Sequence, residues 1–273
     1  MILDGKLVSS KIKEELKKEI EDNDLKIGMA VIQVGDDPAS NVYIKNKEKV
    51  AKELGVNFEH IKFDLDITED LVIQKIQKLN NDNNIDGIIV QLPLPEHLNK
   101  DLILNEIDEF KDIDGLTTKN IGKLFSGNDG IISCTPYGVI KLIEYYNLDL
   151  EGKNAVIVGR SNLVGKPLIE LLLRKNATVT VCHSKTPKLK KITKKADIII
   201  AAVGRKNLIT KDMIKRGCIV IDVGINRVDN KICGDVDFKN VQKKASYITP
   251  VPGGVGPMTV AMLFYNLIKK SDK

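Results

Sequence analysis

Ala155-Val156-Ile157-Val158-Gly159-Arg160-Ser161-Asn162-Leu163-Val164-Gly165-Lys166-Pro167 is the stretch on which the fold of this chain turns. Its four apolar residues predict a buried strand, Gly159 to Gly165 a glycine-bearing turn, and Pro167 the first turn of a helix. Such a turn aims backbone N–H groups and the positive end of a helix at an anion, so it predicts phosphate binding. Two familiar patterns do not fit. A Walker A loop has four residues between its glycines and a hydroxyl after Gly-Lys; here five intervene and Pro167 follows, which argues against nucleoside triphosphate hydrolysis. The strict G-x-G-x-x-G fingerprint also fails, because Ser161 and Val164 occupy its second and third glycine positions. A variant Rossmann turn remains.

The next apolar run, Thr178–Cys182, leads into His183-Ser184-Lys185-Thr186, where dinucleotide folds place the residue that reads the ribose. An Asp or Glu there would accept from the ribose hydroxyls of NAD and repel a phosphate, and neither is present. Ser184 and Lys185 can donate to a 2′-phosphate, and Arg160 lies in the facing turn, so the pattern favours NADP over NAD. The plainer alternative is a structural βαβ unit with incidental surface polarity. Farther on, Gly204-Arg205 and Gly224-Ile225-Asn226 each follow an apolar run, where ligand crevices of open α/β sheets form. Asp222, just before the second of these, can equally cap a turn.

Working outward, 273 residues predict about two domains with cores of their own. An apolar fraction of 42% with 29% charged residues excludes wholesale disorder. No apolar run reaches the ~18 residues of a membrane-spanning helix, and Asp4 stands where a signal peptide wants cations, so a cytoplasmic protein off the membrane is expected. Cys134, Cys182, Cys218 and Cys233 form no C-x-x-C pair and only three histidines accompany them, so neither a disulfide framework nor a metal site is expected. The net charge of +5 is dispersed lysine, with 37 Lys against 5 Arg and no Trp, which fits solubility better than nucleic-acid binding.

Strand and helix periods alternate along the chain and predict an α/β architecture with mostly parallel sheets. Ile12, Leu16 and Ile20 mark a helix, Met29–Val34 a strand, Ser40–Leu54 a helix, Leu71, Ile76 and Leu79 another, and Ile88–Leu92 a buried strand. Pro93–Ser133 reads as an irregular hinge. A second series follows: helix Tyr137–Tyr146, strand Ala155–Val158, helix Leu168–Lys175, strands Thr178–Cys182, Ile198–Val203 and Ile219–Val223, and an apolar helix after Pro257.

Within Ser40–Leu54, 100° per residue places Tyr43, Lys47, Val50 and Leu54 within ~60° of one heading, with Lys45, Lys49 and Lys52 on the opposite side. Lys47 therefore shares an apolar stripe, where burial would favour a neutral amine able to transfer protons. A lysine snorkelling from the stripe's edge is the plain alternative. Gln91 closes the run Ile88-Ile89-Val90-Gln91-Leu92-Pro93 at the carboxyl end of a strand, with an amide able to bond such an amine. Asp112 and Asp114 can hold a metal, cap a turn or read a ligand, and capping is the simplest use of a lone D-x-D. Thr249–Thr259, rich in Gly and Pro, suits close approach of backbone to a ligand.

Seven segments taken together, in order and over nearly the whole chain, resemble one family. They are Pro38-Ala-Ser-x-x-Tyr43-x-x-x-Lys47-x-Lys49, Val90-Gln91-Leu-Pro93-Leu-Pro95, Lys111-Asp-Ile-Asp114-Gly115, Cys134-Thr-Pro136-x-Gly138, Val158-Gly159-Arg160-Ser161-x-x-Val164-Gly165-x-Pro167, Asp222-Val-Gly-Ile225-Asn226 and Pro250-Val-Pro-Gly-Gly-Val-Gly-Pro-Met-Thr259. The family is the bifunctional methylene-tetrahydrofolate dehydrogenase/methenyl-tetrahydrofolate cyclohydrolases of stand-alone bacterial type. Ser133 departs from the proline usual before Cys134-Thr-Pro, and Leu163 from a common isoleucine.

The resemblance implies a folate-binding catalytic α/β domain at 1–118 and a Rossmann-like NADP-binding domain at 119–273, with a cleft between them. The last helix, about 257–270, would pack back on the first domain. It implies oxidation of 5,10-methylene-tetrahydrofolate by NADP⁺ and hydrolysis of the methenyl product to 10-formyl-tetrahydrofolate, in one-carbon metabolism serving purine biosynthesis. Lys47 would be the general acid/base, with Tyr43 orienting the folate, Gln91 bonding the lysine and Asp114 holding the pterin. Val90, Leu92 and the loop Pro252, Gly253, Gly254, Val255, Gly256 would also meet the substrate. Gly159, Arg160, Ser161, Ser184 and Ile225 would meet the cofactor, and a homodimer is implied. The competing reading is an unrelated two-domain NADP-dependent dehydrogenase of shikimate or amino-acid type.

Overall fold

The structure, a computed structural model, describes residues 1–228 and 231–269. The chain forms two compact units: one comprises Lys11–Ile132 with the residues from Leu263 onward, the other Met1–Ser10 with Ser133–Met262. The class is the expected α/β with parallel sheets.

The first unit takes up most of helix α1 (Gly5–Asp22), strand β1 (Gly28–Val34), helix α2 (Pro38–Leu54), strand β2 (Asn57–Phe63), helix α3 (Glu69–Asn80), strand β3 (Gly87–Val90), and helices α4 (Lys100–Asn105) and α5 (Thr118–Phe125). Its sheet has the order β2-β1-β3, all parallel. Every residue of β1 and β3 is buried, as expected of parallel strands covered on both faces. β2 carries the polar sequence NFEHIKF and is mostly exposed; its pattern belongs to a sheet edge, and no apolar run announces it. Val72, Ile76 and Leu79 form the buried stripe of α3 and join Ile32, Ile88 and Ile103 in the core. Each such burial contributes roughly 1.5–3 kcal/mol. Gly87 has no room for a side chain, because a Cβ there would stand 2.7 Å from Ile113 Cδ1 and 2.8 Å from Leu267 Cδ1.

The stretch expected to be an irregular hinge holds α4 and α5 instead. Asn99 Oδ1 accepts from Leu102 N at 3.1 Å and Thr117 Oγ1 from Asn120 N at 3.2 Å, so each helix starts on a side-chain cap. Short capped helices of this kind lack the length to show a period. Asn120 Nδ2 donates to Asp112 Oδ2 and to the Glu109 carbonyl, both at 2.9 Å, which ties α5 to residues before 118. The division therefore falls after Ile132, whereas the resemblance placed it after 118.

The second unit comprises α6 (Cys134–Tyr145), β4 (Asn154–Val158), α7 (Gly165–Leu173), β5 (Thr178–Cys182), α8 (Leu189–Thr193), β6 (Ile198–Ala201), β7 (Ile219–Asp222), the antiparallel pair β8 (Asn226–Val228) and β9 (Lys231–Cys233), α9 (Phe238–Val241), β10 (Tyr247–Ile248) and much of α10 (Val255–Lys269). Its five-stranded parallel sheet has the order β10-β7-β6-β4-β5. The chain goes from β4 outward to β5 and then returns to β6 on the other side of β4, which makes the carboxyl ends of β4 and β6 a topological switch point. Likewise the first sheet switches direction between β1 and β3.

Candidate functional site

In the first unit, α2 begins at the carboxyl end of β1. Asp37 caps it, its Oδ2 accepting from Ser40 N at 2.7 Å, Pro38 opens the first turn, and Gly55 (φ 76°) ends the helix. The buried residues of α2 are Ser40, Ile44, Val50, Ala51 and Leu54. Lys47 lies on that stripe and is half-buried, between the buried amine and the snorkelling lysine that azimuth alone left open. Tyr43, placed in the apolar stripe by azimuth, is 41% exposed. Ser40 and Ile44, in the same turns, are buried, so the packed stripe runs through them and Tyr43 stands at its rim.

Lys47 Nζ donates to Gln91 Oε1 at 2.9 Å. Gln91 follows β3 directly, its backbone N–H donating to the Ile32 carbonyl of β1 at 2.8 Å. Its amide orientation is set by chemistry: Nε2 donates to the Leu92 carbonyl at 2.7 Å, so the oxygen must face the lysine. The segment around Asp112 runs parallel beside β3, with Ile88 bridged to Asp112 and Ile88 N donating to the Lys111 carbonyl at 2.7 Å. The chain turns at once after this bridge, Gly115 N donating to the Asp112 carbonyl at 3.1 Å, and Asp114 stands in that turn.

The two aspartates divide the possible roles. Asp112 is buried and its carboxylate accepts from Leu116 N (3.1 Å), Thr117 N (2.8 Å) and Asn120 Nδ2, so it is the capping residue; burial pushes its carboxyl above the usual range. Asp114 is half-exposed. Val90 is 2% exposed and commits its side chain to the core, while Leu92 is half-buried. Sequence reasoning missed Gln33, buried on β1, whose Nε2 donates to Asn41 Oδ1 of α2 at 2.8 Å and whose Oε1 pairs with His60 Nε2 at 2.9 Å. That chain braces the helix carrying Tyr43 and Lys47. A polar residue inside the apolar run GMAVIQV was its only signal.

In the second unit, Gly159 has φ 133° and a Cβ there would fall on the Ala202 carbonyl at the end of β6. A Cβ on Gly165 would stand 2.5 Å from the Gly159 carbonyl oxygen. Gly165 thus takes the close-packing role that the strict fingerprint gives to the position before it, and the turn is one residue longer. Ser161 Oγ accepts from Val164 N at 3.2 Å and caps the entry to α7, while Arg160 is exposed beside it. After β5, His183 N donates to Thr186 Oγ1 and Thr186 N to the His183 carbonyl, both at 2.8 Å, which fixes a turn presenting Ser184 and Lys185, both exposed. Ile225 is 46% exposed. This cradle of close backbone, a helix start and exposed donors with no acid at the strand end fits a phosphorylated dinucleotide.

In the 252–256 loop, Gly253, Gly254 and Val255 are buried and Pro252 and Gly256 exposed. Lys6 N donates to the Gly253 carbonyl at 3.1 Å, and a Cβ on Gly5 would fall on the Gly254 carbonyl. Gly254 is itself confined, since a Cβ on it would stand 2.5 Å from the Pro250 carbonyl oxygen. The glycines here therefore serve the chain's own close packing as well as any approach to a ligand. Among the described residues no group of three His, Cys, Asp or Glu can hold a metal ion, and no helix is long and apolar enough to cross a membrane.

Comparison with known proteins places these sites in context. Residues 3–114 match the catalytic domain of tetrahydrofolate dehydrogenase/cyclohydrolase and residues 133–273 its NAD(P)-binding domain. The bifunctional protein FolD of Campylobacter hominis is 51% identical, over 99% of this chain and 96% of its own. The crystal structure of the bifunctional enzyme FolD from Campylobacter jejuni superposes with a TM-score of 0.97 at 50% identity, covering 100% and 98% of the two chains. The Trypanosoma brucei methylenetetrahydrofolate dehydrogenase-cyclohydrolase, solved with NADP cofactor and inhibitor, has a TM-score of 0.95 at 34% identity, covering 100% and 98%. Shikimate dehydrogenase from Aquifex aeolicus shares the fold alone, at 13% identity and a TM-score of 0.55 over 90% and 91% of the chains.

Proposed function

The chain belongs to the tetrahydrofolate dehydrogenase/cyclohydrolase family, and from that premise we propose how its residues carry two consecutive reactions in one site. It oxidises 5,10-methylene-tetrahydrofolate to the methenyl compound with NADP⁺ and hydrolyses that product to 10-formyl-tetrahydrofolate. The shikimate-type alternative has only a fold likeness behind it.

The observation that carries the reading is the Lys47–Gln91 pair at the switch point of the first sheet. The methenyl substrate is a cation, so a neutral amine is a better neighbour than an ammonium. Lys47 Nζ takes a proton from water as the oxygen bonds to the methenyl carbon, then returns it to the ring nitrogen as that carbon–nitrogen bond opens, while the remaining hydroxyl proton leaves to solvent as the formyl C=O forms. Gln91 Oε1, held outward by Leu92, engages one N–H of the amine and aims its lone pair. Tyr43 orients the folate beside the amine and Asp114 holds the pterin, with Leu92, the backbone at Val90 and the Pro252–Gly256 loop completing the substrate contacts.

NADP⁺ supplies the hydride acceptor for the first reaction. The bridge nitrogens of the folate release the hydride with their own lone pairs, so the chain's part is to position the reactants. Arg160 and Ser184 hold the 2′-phosphate, and Gly159, Ser161 and Ile225 seat the rest of the dinucleotide. The 10-formyl product is a one-carbon donor for purine biosynthesis and the working enzyme is a homodimer, both read from the family resemblance, and its cytoplasmic location is read from the acid at Asp4 and the lack of an apolar run after it. The test is a paired assay: purified protein with methylene-tetrahydrofolate and NADP⁺ should accumulate methenyl absorbance and then lose it by hydrolysis. Absence of both activities would sink the reading.

A further inference from the structure

Asp222 and Asp235 form a reciprocal buried interlock in the second unit, at 3% and 0% exposure. Each carboxylate lies against the glycine beside the other: a Cβ on Gly224 would fall within the Asp235 carboxylate, and one on Gly234 within that of Asp222. Asp222 Oδ1 accepts from Gly224 N (3.1 Å) and Asp235 N (2.9 Å), and its Oδ2 from Val236 N (2.9 Å). Asp235 then reaches a different loop. Its Oδ2 accepts from Val203 N (2.7 Å) and Gly204 N (3.0 Å), and its Oδ1 from Arg205 N (2.7 Å) and Asn226 Nδ2 (3.0 Å).

Two consequences follow from these bonds. Three successive N–H groups at the carboxyl end of β6 would make an anion-binding concavity, yet a protein carboxylate already fills it. The loop 203–205 is thus closed to a ligand phosphate, which leaves the Gly159–Gly165 turn for that task. Moreover, one carboxylate joins the loop after β6 to the segment 224–226 after β7, the two segments that border the crevice at the carboxyl ends of these strands.

We propose that Asp235 is a positioning residue for dinucleotide binding: its carboxylate clamps loop 203–205 to Asn226 and thereby fixes the edge on which Ile225 meets the cofactor. The inference rests on the cofactor placement given above. Asp235 acts on neither the 2′-phosphate nor the folate, so its loss should weaken NADP⁺ and NAD⁺ alike. Arg160, by contrast, should discriminate between them.

Asp235→Asn turns one acceptor oxygen into a donor facing backbone N–H groups, and Asn226→Ala is a milder variant that removes one donor. Calorimetric titration with NADP⁺ and with NAD⁺ reads binding without folate turnover, and hydrolysis of methenyl-tetrahydrofolate without cofactor reads the first unit. In Asp235→Asn, both nucleotides should lose roughly tenfold or more in affinity while cofactor-free hydrolysis stays within about twofold; Asn226→Ala should show a smaller loss of the same kind. Unchanged nucleotide affinity in both variants overturns the proposal, as does a parallel fall in binding and hydrolysis, which would mark a merely structural role. If Asp235→Asn does not fold, Asn226→Ala decides by the same criteria. Wild-type protein that binds NADP⁺ without turning over folate would fail the functional reading and still test the clamp; wild-type protein that binds neither nucleotide overturns both.

Discussion

Lys47 Nζ and Gln91 Oε1 meet at 2.9 Å, joining the third turn of α2 to the residue that follows β3. Because Gln91 Nε2 is engaged by the Leu92 carbonyl, the lysine always faces an acceptor.

Changing that acceptor should alter hydrolysis selectively. Gln91→Glu places a carboxylate against the amine and favours the ammonium, which cannot take a proton from water. Methenyl hydrolysis should fall roughly tenfold to a hundredfold at neutral pH and recover partly at higher pH, while NADP⁺ affinity is unmoved. A pH–rate profile identical to wild type would remove Gln91 from the mechanism.

Cofactor choice is assigned to the exposed donors after β4 and β5. Arg160→Ala should raise KM for NADP⁺ by roughly tenfold and that for NAD⁺ by less than about twofold, since only the former carries the 2′-phosphate. Equal losses would withdraw the assignment.

Ser133 offers a stability test. Its Oγ is buried with no hydrogen-bond partner, and its φ of −57° lies within the range of proline. Ser133→Pro removes an orphaned hydroxyl and restricts the unfolded chain, so it should stabilise the protein by about 1 kcal/mol. Thermal melting of the variant checks this, with a raised Tm expected.

Asp222 predicts a pH effect with a definite sign. Burial raises its carboxyl from 3.8 to about 6. Between those values the folded chain holds a proton that the unfolded chain has released, so this group's contribution to stability falls as pH rises through the window and levels off above it. Asp222→Asn removes that slope. Urea unfolding from about pH 4 to about pH 7 should show wild type losing up to ~3 kcal/mol relative to the variant. Parallel curves would contradict it.

The parts of this molecule legible in its sequence are those whose signal is local. The strand–turn–helix at 155–167 and the lysine on the stripe of α2 announce themselves by period and spacing. Tyr43 was misplaced because it stands at the rim of the stripe through Ser40 and Ile44 and azimuth does not say how wide the packed face is, and β2 was invisible because an edge strand need not be apolar. Gly165 was read only as the end of a glycine-bearing turn, because its close packing on Gly159 falls one residue beyond the strict fingerprint. Asp235 gave no signal, since three of its four partners are backbone N–H groups some thirty residues away, which carry no mark of residue type.

The most direct measurement is of Lys47→Met in both assays. Lys47 as the proton carrier predicts that methenyl-tetrahydrofolate hydrolysis falls at least about a hundredfold while NADP⁺ affinity stays within about twofold of wild type. Hydrolysis at the wild-type rate would contradict it, and would make Lys47 a half-buried lysine bonded to Gln91 with no part in the chemistry.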